Sequence, residues 1–114
     1  MDYPERYQQV ATLMKKLGDD SPAMMSAFMR LHGATVKDGV LSAKTKELIA
    51  LAIGINVRCD GCVAYHVHDA VAAGASREEV IETIGVAIMM GGGPSVIYGA
   101  EALEALDQFE PVVA

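Results

Sequence analysis

Apolar residues recur at intervals of three and four along most of this chain, and short runs of Gly, Asp, Ser and Pro interrupt them. That spacing is the signature of amphipathic helices, and it predicts five or six of them. The first carries Tyr7, Val10, Leu13, Met14 and Leu17 and is expected to end at Gly18, a residue suited to a left-handed helix terminus. Ser21-Pro22 opens a second past Met25, Phe28, Met29 and His32 toward Asp38-Gly39, since Ser caps well and Pro fits the first helical position. Ser42 caps a third, and a turn is expected around Asn56 to Asp60. A fourth helix runs from about Asp60 to Ala73, closed by Gly74.

Ser76-Arg77-Glu78-Glu79 has the reciprocal capping-box pattern and starts a fifth helix, which Gly91-Gly92-Gly93 ends. Pro94 then opens a last helix bearing Ile97, Ala100, Leu103 and Leu106. Within the fifth, Ile84 to Met90 is apolar on nearly every face, which predicts either a central buried helix or a subunit contact. No segment alternates with the period of two that a half-buried strand requires. The expected class is all-α, one domain over residues 1–114.

Composition sharpens this picture. The chain is 52% hydrophobic but only 5% aromatic, and its mean hydropathy is +0.27. A chain of this size has too much surface to hide that much apolar material alone, so a homo-oligomer is expected. The net charge of −6 and the absence of a basic cluster argue against nucleic acid as a partner. The longest apolar stretch, Leu48 to Ile55, is far below the roughly 18 residues of a membrane span, so no membrane partner is expected. Met1 to Arg6 lacks the pattern of a secretory signal, and a cytoplasmic location is the default expectation. In a reducing compartment a Cys pair is more often catalytic or metal-binding than a structural staple.

Cys59-Asp60-Gly61-Cys62 is such a pair, at the expected start of the fourth helix. A three-residue separation there permits a disulfide, and helix N-termini favour a thiolate over a thiol. His66, one turn beyond Cys62, is placed to take the thiol proton. Glu47 has Ala50, Leu51 and Gly54 as its helical neighbours, so it sits on an apolar face where a carboxylate loses water. Such a carboxylate tends toward proton uptake unless a cation pairs with it. If the third and fourth helices form an antiparallel pair about a turn near Val57-Arg58, Glu47 and His66 stand within about one turn of each other in height.

Other readings bound this one. Cys59, Cys62 and His66 could supply three zinc ligands, with no obvious fourth. His32 follows Met25, Phe28 and Met29 on an apolar stripe and reads better as a hydrogen-bonded core or interface residue than as a catalytic one. His68 points away from the Cys62–His66 stripe, and Tyr65 and Asp69 are expected at most to support the site. The glycine triplet lacks the strand and spacing of a nucleotide loop, so no nucleotide is expected. No other cofactor and no metal is assigned.

Taken together, Glu47, Cys59-x-x-Cys62 and His66 resemble the active site of the alkyl hydroperoxidase D (AhpD)-like group of the carboxymuconolactone decarboxylase superfamily. The stretches Leu31-His32-Gly33, Ala43 through Ala52 and the glycine triplet with Pro94 resemble it too, so the likeness covers about residues 25–106, the core of the single domain it implies. The resemblance implies an all-helical oligomer, trimeric or hexameric, that reduces a hydroperoxide through a dithiol–disulfide cycle. It implies Cys62 as the attacking sulfur, Cys59 as the resolving one, and Glu47 with His66 as the proton relay. A dithiol, such as a lipoyl group on a partner protein, would be the reductant. Gly61 departs from the pattern, which has His just before the second Cys. Lactone decarboxylation, the reaction that named the superfamily, and a non-enzymatic metal-binding or oligomeric module are the competing readings.

Overall fold

The computed structural model describes residues 1–113. Six helices account for nearly all of them: α1 (Tyr3–Asp20), α2 (Pro22–Val36), α3 (Ala43–Asn56), α4 (Asp60–Ala72), α5 (Arg77–Gly91) and α6 (Gly93–Val113). Among the described residues there is no strand, in line with the all-α expectation. Among the described residues no helix is long and apolar enough to cross a membrane.

Local chemistry sets most of the boundaries. Ser42 Oγ accepts from the Thr45 N–H at 3.1 Å to start α3. At α5 both halves of the capping box form, Glu79 N–H to Ser76 Oγ at 3.1 Å and Ser76 N–H to Glu79 Oε1 at 2.9 Å. Gly74 (φ 93°) and Gly92 (φ 72°) take the left-handed conformation after α4 and α5 that side chains resist. Gly18 does not end α1, which continues to Asp20. The stop comes instead from Pro22, whose ring disfavours helical geometry in the preceding residue, and Ser21 accordingly sits at φ −139°, ψ 70°.

The core lies where α3, α4, α5 and α6 meet, with Leu51, Ile55, Val63, Val67, Val80 and Leu106 fully buried. α3 and α4 are an antiparallel pair joined by a tight turn in which Arg58 takes φ 58°. Close approach is possible because Gly54 faces Cys62: a Cβ added at Gly54 would lie 3.1 Å from Cys62 Cβ. α1 packs over the start of α4, tied by Arg6 Nη2 to Asp60 Oδ1 at 3.1 Å. The chain's N-terminus is secured to α6, since Gln108 Oε1 accepts from the Tyr3 N–H at 2.7 Å. Burial, with Glu101 and Glu104 nearby, pushes the Tyr3 phenol up to about 12.

Ile84–Met90 is not a central buried helix. Ile84 and Ala87 face inward, but Val86 is 55% exposed and Met89 and Met90 are each 73% exposed. Of the two readings of that all-apolar run, the outward contact face is the one left open. α2 is similarly open, burying only Met25 while Phe28, Met29 and Leu31 face outward.

Candidate functional site

The interface between α3 and α4 carries the chemistry. Cys59 is the N-cap of α4, and its Sγ accepts from the Cys62 N–H at 3.1 Å. The two sulfurs are joined as a disulfide, with Cα atoms 5.1 Å apart, inside the range such a bond needs. Both residues are half-buried. The cysteine is thus in the position where Ser or Asp usually caps a helix, so the same backbone donor and helix dipole that meet a capping oxygen meet a sulfur. A thiolate at Cys59 is favoured by that geometry.

One turn along α4, His66 Nδ1 lies 2.9 Å from Glu47 Oε2. Glu47 is only 4% exposed, enclosed by the apolar face of α3 as its neighbours imply. An ionised carboxylate can only accept, so Nδ1 carries the hydrogen of this bond and Nε2 is the nitrogen left to take a proton. The alternative of Glu47 paired with a lysine or arginine is not what forms. Its neighbour Lys46 turns away and donates to the carbonyls of Thr35 at 2.8 Å and Lys37 at 2.7 Å, pinning the end of α2 to α3.

The expected heights therefore hold: on α3 the pair Glu47 and Gly54, two turns apart, meets His66 and Cys62 on α4. All four predicted site residues lie on or beside this one seam. The zinc set Cys59, Cys62 and His66 is not assembled, because the sulfurs are engaged with each other.

Three features were not legible beforehand. His32 is half-buried and lines a cavity of about 390 Å³ between α2 and α3, together with Glu47, His66 and the apolar Phe28, Leu31 and Val36. Asp69 comes close to the same point: donor atoms of His32, Glu47 and Asp69 all lie within 4.8 Å of one another. His68 in turn hydrogen-bonds Asp69 through Nδ1 at 2.8 Å and stacks on Tyr7 with ring centroids 4.0 Å apart. Nothing in the local sequence signals these meetings, since each residue comes from a different helix or turns by a rotamer choice.

Tyr65 stands near both carboxylates. Burial first, then Asp69 and Glu47, raise its phenol above the ordinary value, so it remains a neutral O–H. Tyr7 is raised as well, by burial and then Asp69. At Gly61 an added Cβ would come 3.2 Å from Val10 Cγ2 and 3.6 Å from Arg6 Nη2. α1 covers that position, so a histidine there would require α1 to move. The Gly61 departure is thus built into the packing of the N-terminal helix.

Comparison with known proteins agrees with this architecture. A structure from Legionella pneumophila, an apo carboxymuconolactone decarboxylase family protein, superimposes with a TM-score of 0.90 at 43% identity, covering 94% of this chain and 96% of that one. One from Thermotoga maritima, in the same family and suggested to take part in an antioxidative response, gives 0.83 at 28% identity, covering 92% and 90%. An uncharacterised protein of Cupriavidus necator is 39% identical over 106 residues, covering 93% of this chain and 94% of its own length. A family model for carboxymuconolactone decarboxylases matches residues 22–105, from the start of α2 to near the middle of α6, and the chain belongs to the carboxymuconolactone decarboxylase family.

Proposed function

We propose that this protein is a thiol-dependent peroxidase or disulfide reductase in which Cys59 and Cys62 cycle between dithiol and disulfide. The observation that carries the reading is the Glu47–His66 hydrogen bond of 2.9 Å on the same α3–α4 seam as a Cys pair already within disulfide reach. A buried carboxylate orienting an imidazole one turn from a cysteine is the arrangement that activates a sulfur nucleophile.

In the reduced protein His66 Nε2 takes the Cys62 thiol proton while Glu47 holds Nδ1–H and stabilises the imidazolium. The Cys62 thiolate attacks the terminal oxygen of a hydroperoxide; the O–O bond breaks, and the alkoxide collects a proton and leaves as alcohol. Cys62 is now a sulfenic acid. The Cys59 sulfur attacks it, water departs, and the disulfide closes. An external dithiol, such as a lipoyl group on a partner protein, reopens it: one of its thiolates attacks Cys62, and Cys59 leaves as the thiolate that the Cys62 N–H stabilises. The second thiol of the reductant then attacks the mixed disulfide, releasing Cys62 and closing the reductant's own disulfide. Two electrons pass from the dithiol to the hydroperoxide in each turn.

The suggested antioxidative role of the Thermotoga relative supports the same direction. A cytoplasmic setting suits the cycle because the disulfide must be reducible. The open apolar faces of α2 and α5 support a homo-oligomer, trimeric or hexameric, in which copies cover them.

The test is intact-mass analysis of reduced protein before and after one equivalent of an organic hydroperoxide. The expected result is a loss of about two daltons confined to the peptide holding both cysteines. Cys62→Ser should abolish dithiol-driven hydroperoxide consumption; undiminished turnover in that variant ends the reading. Lactone turnover that persists with both cysteines replaced by Ser would make the decarboxylase reading the better one.

A further inference from the structure

We infer that His32, Glu47 and Asp69 form a binding site for a divalent first-row transition ion of the zinc class, separate from the two sulfurs. The three residues come from α2, α3 and α4, and their donor atoms lie within 4.8 Å of one another beside the 390 Å³ cavity. One imidazole nitrogen and two carboxylate oxygens suit zinc and its neighbours, whereas magnesium and calcium favour shells built wholly of oxygen. Zinc holds such ligands at about 2.0–2.2 Å, so they stand roughly 3.4 Å apart in a tetrahedron, and side-chain rotations of about 1 Å close the site.

Charge points the same way. Glu47 and Asp69 set two carboxylates side by side, one of them nearly inaccessible to water, and among the described residues their only ionisable partners within 4.0 Å are His66 and His68. A divalent cation offsets the two negative charges. The two histidines also have a place once the ion is bound. His66 engages Oε2 of Glu47 and His68 engages Oδ1 of Asp69, which orients each carboxylate and leaves its second oxygen for the metal. His68 is itself fixed by stacking on Tyr7. Three protein ligands leave a fourth position open, and the cavity beside Glu47 and His32 supplies room for water or a small anion there.

The experiment is calorimetric titration of zinc into the air-oxidised protein, in which the cysteines are joined and cannot serve as ligands. One zinc per chain is expected. His32→Ala and Asp69→Asn, both at half-buried positions, should each weaken binding by about 100-fold, the upper end of what loss of even an outer partner costs. The Cys59→Ser/Cys62→Ser double variant should bind as the parent does. Zinc should also raise the Tm of the parent and of the double variant, since it binds only the assembled site. No binding, or affinity unchanged in both His32→Ala and Asp69→Asn, or affinity lost with the cysteines, overturns the inference. Zinc binding by a protein that never consumes hydroperoxide would refute the proposed function and leave this site standing.

Discussion

Replacing Glu47 by Gln separates what this carboxylate does for the fold from what it does for chemistry. The side chain is 6% exposed and its partner His66 22% exposed, so solvent screens the pair little. Gln keeps the shape, and its amide oxygen can still accept the Nδ1 hydrogen. What is lost is the charge assistance, which roughly doubles a hydrogen bond that contributes about 0.5–1.5 kcal/mol. What is gained is relief from Asp69, whose carboxylate lies within 4.8 Å: two like charges at such a separation repel by about 3–4 kcal/mol at an effective dielectric constant near 20. The folded state should therefore keep its stability within about 1 kcal/mol or rise above it. Activity should fall steeply, because general acid–base groups contribute about 10²–10⁴-fold, or roughly 2.7–5.5 kcal/mol of barrier. The assay pairs urea unfolding with dithiol-driven consumption of an organic hydroperoxide. Turnover within threefold of the parent, or a stability loss above about 3 kcal/mol, would refute the reasoning. The first outcome makes Glu47 dispensable to the chemistry, and the second makes it a structural carboxylate.

Gly54→Ala places a methyl 3.1 Å from Cys62 Cβ, so the first turn of α4 must give by a few tenths of an ångström. Overpacking of about 1–3 kcal/mol against a helix gain of about 1 kcal/mol predicts mild destabilisation, and the thiol cycle should slow as Cys62 shifts from His66; equilibrium unfolding and turnover read the two effects. Leu51→Ala empties a fully buried position beneath the site and should cost about 2–5 kcal/mol, seen as a lower urea midpoint with unchanged slope. Glu79 is held below the ordinary carboxylate value first by the Ser76 N–H and then by Lys44. Its stabilising contribution is therefore complete above the unfolded-state value of about 4.3 and is lost as pH falls through the lower folded value. Glu79→Gln should match the parent in strong acid and be less stable at neutral pH, which unfolding curves at both ends of that window check.

Helix starts and stops were readable because capping is local chemistry. Ser42, Ser76, Gly74 and Gly92 each act on a backbone group within a few residues, and the chain carries that information wherever the rest of it lies. Gly18 misled for the complementary reason: glycine permits a left-handed turn but does not compel one, whereas Pro22 forbids helix in the residue before it. The apolar run from Ile84 to Met90 fixed a helix but not its neighbours. Which of its faces is covered depends on where α3 and α6 pack, and Met89 and Met90 were left outside.

At the site, the alternation of Glu47 with apolar neighbours and the four-residue step from Cys62 to His66 determined that these groups occupy helix faces able to meet. Helical periodicity carries that much unaided. Only the tertiary structure decided that the carboxylate reaches His66, that Gly54 admits Cys62, that α1 closes over Gly61, and that His32 and Asp69 arrive at Glu47 from two other helices. The physical reason is that a sequence pattern sets the direction of a side chain about its own helix axis. Distance between helices is set by what packs between them, and no local rule contains that information.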